Sequence, residues 1–398
     1  MLSKLRALSQ LTAFSLGVFI SLSSLAVLQY FLPKSALSHH NHDHSSIYSS
    51  HDKPRLLLTL TPDISQGGLV VLYTFSGIFL GAILKEVKKK TSIPYSPMIL
   101  ISGLAIGAFN DYLGFLGDAV DLVGQINPHS LLMIFIPGLI FESAYNTDGF
   151  ILGRSKWQIL VMAGPGVVFS TLLNALAIKL LNASLTIPES LVIGSIVSTT
   201  DPVAVVALLK DLGASIKFST LLEGESLLND GTAYVVFLVC LDTVANDGVF
   251  ELLPSIIKFF RLSFGGPIVG LIVGWLCSYW IEVIMKDNTL IVIITAFCTY
   301  LMFYASENYL EVSGILGLVA LGVYLGTFCK VHLTHSNDHA VHTIWSFVGF
   351  TLETLIFLIT GTFIGGQIRN VSLTSMDVLK ALAFCPILMV VRTVLMFV

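Results

Sequence analysis

Four carboxylates, Asp201, Glu223, Glu225 and Asp230, fall within thirty residues of sequence apolar enough to span a bilayer. An ionised side chain at the centre of a membrane helix costs about 2.5–3.5 kcal/mol even on insertion scales. Acids there face a partner or a water-lined path, and they mark ion routes. The first stretch reads Ser198-Thr199-Thr200-Asp201-Pro202. Pro202 has no N–H to give the Ser198 carbonyl, and its ring clashes with that oxygen, so a helix through Asp201 must break nearby. The freed carbonyls, the Thr199 and Thr200 hydroxyls and the Asp201 carboxylate are hard oxygen donors suited to a small alkali cation. Interrupted helices at membrane depth are where secondary transporters hold their ions.

The second stretch reads Gly224-Glu225-Ser226-Leu227-Leu228-Asn229-Asp230. Ser226 and Asp230 stack on one helical face, and Glu225 with Asn229 forms a second pair on the adjoining strip. Asp230 is the charged acceptor, Ser226 lies one turn away, and Asn229 is a neutral neighbour. Two adjacent acids would bind an extra charge per cycle, whereas Asn-Asp supplies one, which fits one-for-one electroneutral exchange. Burial disfavours the charged form of a carboxylate, so a proton and a cation compete for Asp230. Three more membrane charges need partners. Arg392 cannot shed its proton and is expected to pair with Glu225. Glu142 and Glu353 are placed equally well to hold helices together or to touch the ion.

The elements that position these groups are membrane helices. The chain of 398 residues is 55% hydrophobic and 12% charged, with a net charge of −4. A soluble domain carries about 25% charged residues, so this is a polytopic membrane protein, and no basic stripe points to nucleic acid. Twelve apolar runs are long enough to cross: 9–32, 67–84, 96–115, 129–145, 157–181, 190–209, 219–243, 256–285, 288–305, 313–329, 343–365 and 377–398. The eighth begins with Lys258 and Arg261 and is expected to tilt or to start at the interface.

With a cytoplasmic N-terminus, twelve Lys and Arg fall in inner loops and four in outer ones. The sequons at Asn182 and Asn370 then lie outside, where glycosylation is possible. Residues 1–32 read as a signal peptide or a first membrane helix, 33–66 as a His-rich outer loop, and 67–398 as the transmembrane domain. The histidines at 39, 40, 42, 44 and 51 are read as part of a polar loop. His332, His335, His339 and His342 are read as a solvated inner connector. Cys240, Cys277, Cys298, Cys329 and Cys385 make no C-x-x-C pair and read as small hydrophobes.

Thr200-Asp201-Pro202-Val203-Ala204-Val205, with Glu223-Gly224-Glu225-Ser226-Leu227-Leu228-Asn229-Asp230, resembles the sodium/proton exchangers of the monovalent cation:proton antiporter superfamily. Residues 203–215 are most similar to the plant plasma-membrane salt-tolerance exchangers and the sperm-type exchangers. The resemblance implies an all-α inverted-repeat fold, with a scaffold half that dimerises and a core half that moves as an elevator. It implies that Asp230 alternately binds sodium and protons and that Ser226, Thr200 and Asp201 assist. Asn229 would then favour electroneutral stoichiometry, a Glu225–Arg392 salt bridge would stand in the core, and Glu353 would have a role in its Glu-Thr-Leu-Ile-Phe motif. The family pattern continues beyond Arg392 with a second broken helix. A chain ending at Val398 is therefore expected to carry an incomplete second repeat, as a truncated form.

The expected activity is secondary antiport of sodium against protons in a multi-pass, plasma-membrane homodimer that regulates pH, without cofactor or ATP. No G-x-x-x-x-G-K-[ST] loop is present. Potassium in place of sodium and a non-transporting regulatory subunit stand as alternatives. An intramembrane hydrolase using Ser226 fails because Leu228 occupies the position where a nucleophile elbow needs Gly.

Overall fold

A computed structural model describes the backbone of residues 66–91, 93–124, 126–182, 184–199, 205–206, 209, 213, 215–246, 252–284, 287–330, 335–370 and 375–397. All regular structure among them is helical. In chain order the helices are α1 (Gln66–Lys90), α2 (Tyr95–Ala108), α3 (Phe115–Gly124), α4 (Pro128–Asn146), α5 (Gly149–Arg154), α6 (Lys156–Val161), α7 (Val167–Leu181) and α8 (Ile187–Ile196). They continue with α9 (Ile216–Ala245), α10 (Leu252–Ile284), α11 (Asn288–Ala305), α12 (Gly314–Tyr324), α13 (His335–Asn370) and α14 (Ser375–Phe397). Single π-turns at Met162–Gly166, Ser306–Leu310 and Leu325–Cys329 follow α6, α11 and α12. Six described segments are long and apolar enough to cross a membrane: Gly67–Lys90, Lys156–Leu181, Lys217–Ala245, Leu253–Val283, Asn288–Leu310 and Asn337–Ile368. Shorter apolar helices stand at Tyr95–Ala108, Ile187–Ile196, Gly314–Cys329 and Ala383–Val394.

The described residues divide into two compact units. One holds residues 66–126 and Phe357–Asp377. There the Tyr73 hydroxyl meets Thr362 Oγ1 at 3.0 Å, and Gly103 and Gly107 of α2 press against the backbone of Leu358, Gly361 and Thr362. Hydrocarbon contact between helices gains nothing over lipid, so close approach through small residues supplies the dispersion energy instead. Helix α3 lies where the apolar-run count leaves a loop. It is amphipathic, with Ala119, Val120 and Val123 buried and Asp118 and Asp121 in the turns between, too mixed to register as a membrane run.

The other unit holds Asn127–Ile356 and Val378–Val398 and carries the main core. Phe141 and Tyr145 of α4, Ile281 of α10, Ile291 and Met302 of α11, Leu318 and Leu321 of α12 and Trp345 of α13 are buried in one cluster. Trp345 tilts against Phe141 with ring centroids 4.5 Å apart, and its Nε1–H donates to Thr295 Oγ1 at 3.1 Å. A row of Gly266, Gly270 and Gly274 lets α10 lie against Ser313, Gly317 and Tyr324 of the α12 segment. The opposite side of α10 exposes Phe260, Phe264, Ile268, Leu271, Trp275 and Tyr279, a surface that lipid would solvate. At 33 residues α10 is about 50 Å long, well beyond a hydrocarbon core of about 30 Å. Its first turns carry Lys258, paired with Asp242, and Arg261, paired with Glu311 at 2.8 Å.

The inner connector is helical from His335 onward, and His339 and His342 are exposed on it. Val341 and Asn337 are buried, and Asp338 accepts from the Tyr145 hydroxyl at 3.3 Å and faces Lys330 at 3.4 Å. These contacts extend the membrane helix two turns past its apolar stretch.

Candidate cation site

The site is built on α8 and α9, which pack together. Helix α8 starts with a capping box: Thr186 Oγ1 accepts the Glu189 N–H at 3.4 Å, and Glu189 Oε2 accepts the Thr186 N–H at 2.9 Å. This buried acid, absent from the sequence reading, shows its role in the spacing Thr-x-x-Glu ahead of an apolar run. The helix ends at Ile196, six residues before Pro202. Its last carbonyls are met by hydroxyls and amides close by in sequence. Ser195 Oγ donates to the Val192 carbonyl, Ser198 Oγ to that of Ser195, both at 2.7 Å, and Thr199 Oγ1 to that of Ile196 at 3.2 Å. Thr200, Asp201 and Pro202 lie outside the described residues.

Helix α9 runs unbroken for 30 residues and carries Glu223, Glu225, Ser226, Asn229 and Asp230. Glu225 and Asn229 are buried, while Ser226 and Asp230 are half-buried. Gly224 and Gly231 bracket this segment. A side chain at the first would strike Leu152, and one at the second would come within 2.5 Å of Leu316 Cδ2. Both glycines therefore let α5 and α12 close on the helix just where it carries its polar groups. Arg392 Nη2 of α14 lies 3.6 Å from Glu225 Oε1.

Glu142 and Glu353 stand apart from that row. Glu142, on α4, accepts from Asn146 Nδ2 at 2.8 Å and from Ser346 Oγ of α13 at 3.5 Å, with Glu353 within Coulombic reach. A polar seam absent from the sequence reading lies on α7. Ser170, Thr171 and Asn174 are buried there, and Thr171 Oγ1 and Asn174 Oδ1 accept no hydrogen bond. Of the two sequons, Asn182 caps α7 and accepts from Ser184 Oγ at 2.8 Å. Asn370 is the last residue of α13, and its side chain is outside the described residues, as are all five histidines of the 33–66 loop. Among the described residues no group of three His, Cys, Asp or Glu is placed to hold a metal ion.

Residues 71–398 match the family of sodium/hydrogen exchanger transmembrane domains. The chain belongs to that family. It is 34% identical over 311 residues to sodium/hydrogen exchanger 8 of Arabidopsis thaliana, across 75% of this chain and 40% of that protein. It is 33% identical to sodium/hydrogen exchanger 7 of the same plant, across 75% and 26% of the two chains. With the Na(+)/H(+) antiporter ApNhaP of Aphanothece halophytica the identity is 29%, across 73% and 55%. The chain thus spans about half or less of the length of these relatives. The solved sodium proton antiporter MjNhaP1 of Methanocaldococcus jannaschii shares the fold at a TM-score of 0.64 and 19% identity, covering 82% of this chain and 86% of that one.

Proposed function

We propose that the chain is the ion-translocating domain of a secondary antiporter that exchanges sodium for protons, with Asp230 as the shared site. One observation carries the reading. A half-buried carboxylate stands mid-way along a 30-residue membrane helix, with Ser226 one turn before it and buried Asn229 beside it. The helix packed against it stops at Ile196, just ahead of Thr200-Asp201-Pro202. An acid kept at that depth at a cost of a few kcal/mol is selected for an ion. The printed names of the relatives, exchangers and antiporters of sodium and protons, support the choice of ions.

On this reading Ser226 and the oxygens of Thr200 and Asp201 complete the cation shell, and protonation of Asp230 releases the ion. With Glu225 held by Arg392 and Asn229 uncharged, one carboxylate carries one sodium or one proton, so the exchange is electroneutral. An elevator movement of a homodimer in the plasma membrane, setting cytosolic pH, completes the proposal, and no cofactor takes part.

The test is sodium-dependent proton flux in proteoliposomes, with Asp230→Asn alongside. Flux that vanishes in the variant is the expected result. Equal flux in both would end the assignment of Asp230. Equal flux with potassium in place of sodium would move the protein to potassium/proton exchange. Its absence from well-folded protein would favour the regulatory-subunit reading.

A further inference from the structure

Tyr234 lies one helical turn beyond Asp230 on α9, on the same side of the helix. Its hydroxyl donates to Glu307 Oε2 at 3.2 Å. The other carboxylate oxygen, Oε1, accepts the Gly314 N–H at 2.7 Å at the N-terminus of α12. Glu307 is half-buried in the π-turn that closes α11, and π-turns inside helical segments recur at functional sites. The exposed His129, at the start of α4, acts on this carboxylate electrostatically. Arg261 of α10 reaches the end of that π-turn, where it is held by Glu311 Oε2 at 2.8 Å and the Leu310 carbonyl at 2.9 Å. Tyr304 and Tyr309, on the same segment as Glu307, pack edge to face with each other.

By the count of basic residues this is the outer end of the bundle. Helix α9 enters from the side of Lys217, α11 from the side of Lys286, and α4 leaves toward Arg154 and Lys156. A cap for α12 needs a single acceptor at the Gly314 amide. It does not need a tyrosine from the Asp230 helix on the second oxygen, nor an exposed imidazole nearby. Those two features belong to a path for protons.

We propose that Glu307 is the outer proton-transfer group of the exchanger, with the Tyr234 hydroxyl as the relay that passes the proton on toward Asp230. The proposal rests on Asp230 as the shared site. Glu307 Oε2 takes a proton from outer water. Once Glu307 is protonated the Tyr234 hydroxyl turns to accept from it, and in one concerted shift the Glu307 O–H bond breaks as a bond forms to the Tyr234 oxygen, while the tyrosine O–H bond breaks and its original proton passes, directly or through water, to the Asp230 carboxylate. Tyrosine ends neutral, one proton has moved inward, and the reverse sequence discharges it.

The experiment compares two transport modes in proteoliposomes: sodium/proton exchange across a range of outer pH, and exchange of labelled for unlabelled sodium, which moves no proton. The variants are Glu307→Gln, which keeps an oxygen for the Gly314 amide, Tyr234→Phe, which leaves that cap untouched, and Asp230→Asn. The first two are expected to slow sodium/proton exchange by about tenfold or more and to flatten its dependence on outer pH, while sodium/sodium exchange stays within about twofold. Asp230→Asn is expected to abolish both modes. A wild-type outer-pH profile in Glu307→Gln overturns the relay while leaving Asp230 in place. Equal loss of both modes in folded Glu307→Gln, with Tyr234→Phe unaffected, assigns Glu307 to capping alone and also overturns it. Persistent sodium/proton exchange in Asp230→Asn overturns the underlying site instead.

Discussion

Arg392 Nη2 stands 3.6 Å from Glu225 Oε1 and ties α14 to α9 by charge. At that separation the contact is an ion pair without a short hydrogen bond. The Glu225 side chain is 10% exposed and that of Arg392 is 34% exposed. If Asp230, little more than one turn away on the same helix, is the ion site, the pairing takes Glu225 out of competition for the cation.

Removing one member of the pair is expected to destabilise the protein. Breaking a fully buried pair costs about 3–5 kcal/mol, and the exposure of Arg392 brings the expected loss for Glu225→Gln or Arg392→Met down to about 2 kcal/mol. The double variant should lose less than the sum of the two, because neither charge is then left alone. Thermal melts in detergent of the two single variants and the double variant measure this. Additive losses would mean that the two groups do not interact.

Asn229→Asp puts a second carboxylate beside Asp230 at a buried position. If one carboxylate carries one charge, a second changes the stoichiometry. The variant is then expected to generate a transport current on a supported membrane where the wild type generates none. A silent variant that still exchanges sodium for protons would disconnect Asn229 from stoichiometry.

The polar row on α9 was legible in the sequence because spacing alone places Glu225, Ser226, Asn229 and Asp230 on a helix. A break near Asp201 is what Pro202 implies in the sequence; the described chain shows α8 ending at Ile196, and Pro202 lies outside the described residues. Glu307 and Tyr234 were not legible as a pair. They are 73 positions apart, and only the packing of α9 near the end of α11 joins them. Glu307 also sits just past its apolar run, where an acid reads as a loop residue. The N-terminal extension of α13 was not legible for a similar reason: His339 and His342 read as solvated and are exposed, but nothing in the sequence marks Val341 and Asn337 beside them as buried.

Gly270→Ala tests how far α10 and α12 depend on close approach. A Cβ at Gly270 would fall on the Gly317 carbonyl, and it would be only 3.0 Å from the Gly317 Cα, so the backbones themselves must separate. Overpacking of this kind costs about 1–3 kcal/mol, here with loss of dispersion contacts along the whole row. The melting temperature should fall accordingly. Gly67→Ala, which has open space around it, should leave it unchanged.

Glu142 and Glu353 pose the sharpest electrostatic question, because two carboxylates within Coulombic reach repel unless a proton or cation lies between them. A Cβ at Gly349 would come within 3.0 Å of the Glu142 Cγ, so α13 passes close to this acid through a residue without a side chain. Glu142→Gln keeps an oxygen for Asn146 and Ser346 and removes the like charge. If the two acids only hold α4 against α13, the variant should gain about 0.5 kcal/mol of stability and keep its sodium half-saturation. That is the expected outcome, since Glu142 already has partners on both helices. A loss of more than about 1 kcal/mol, recovered by raising sodium, would show instead that a cation bridges the pair.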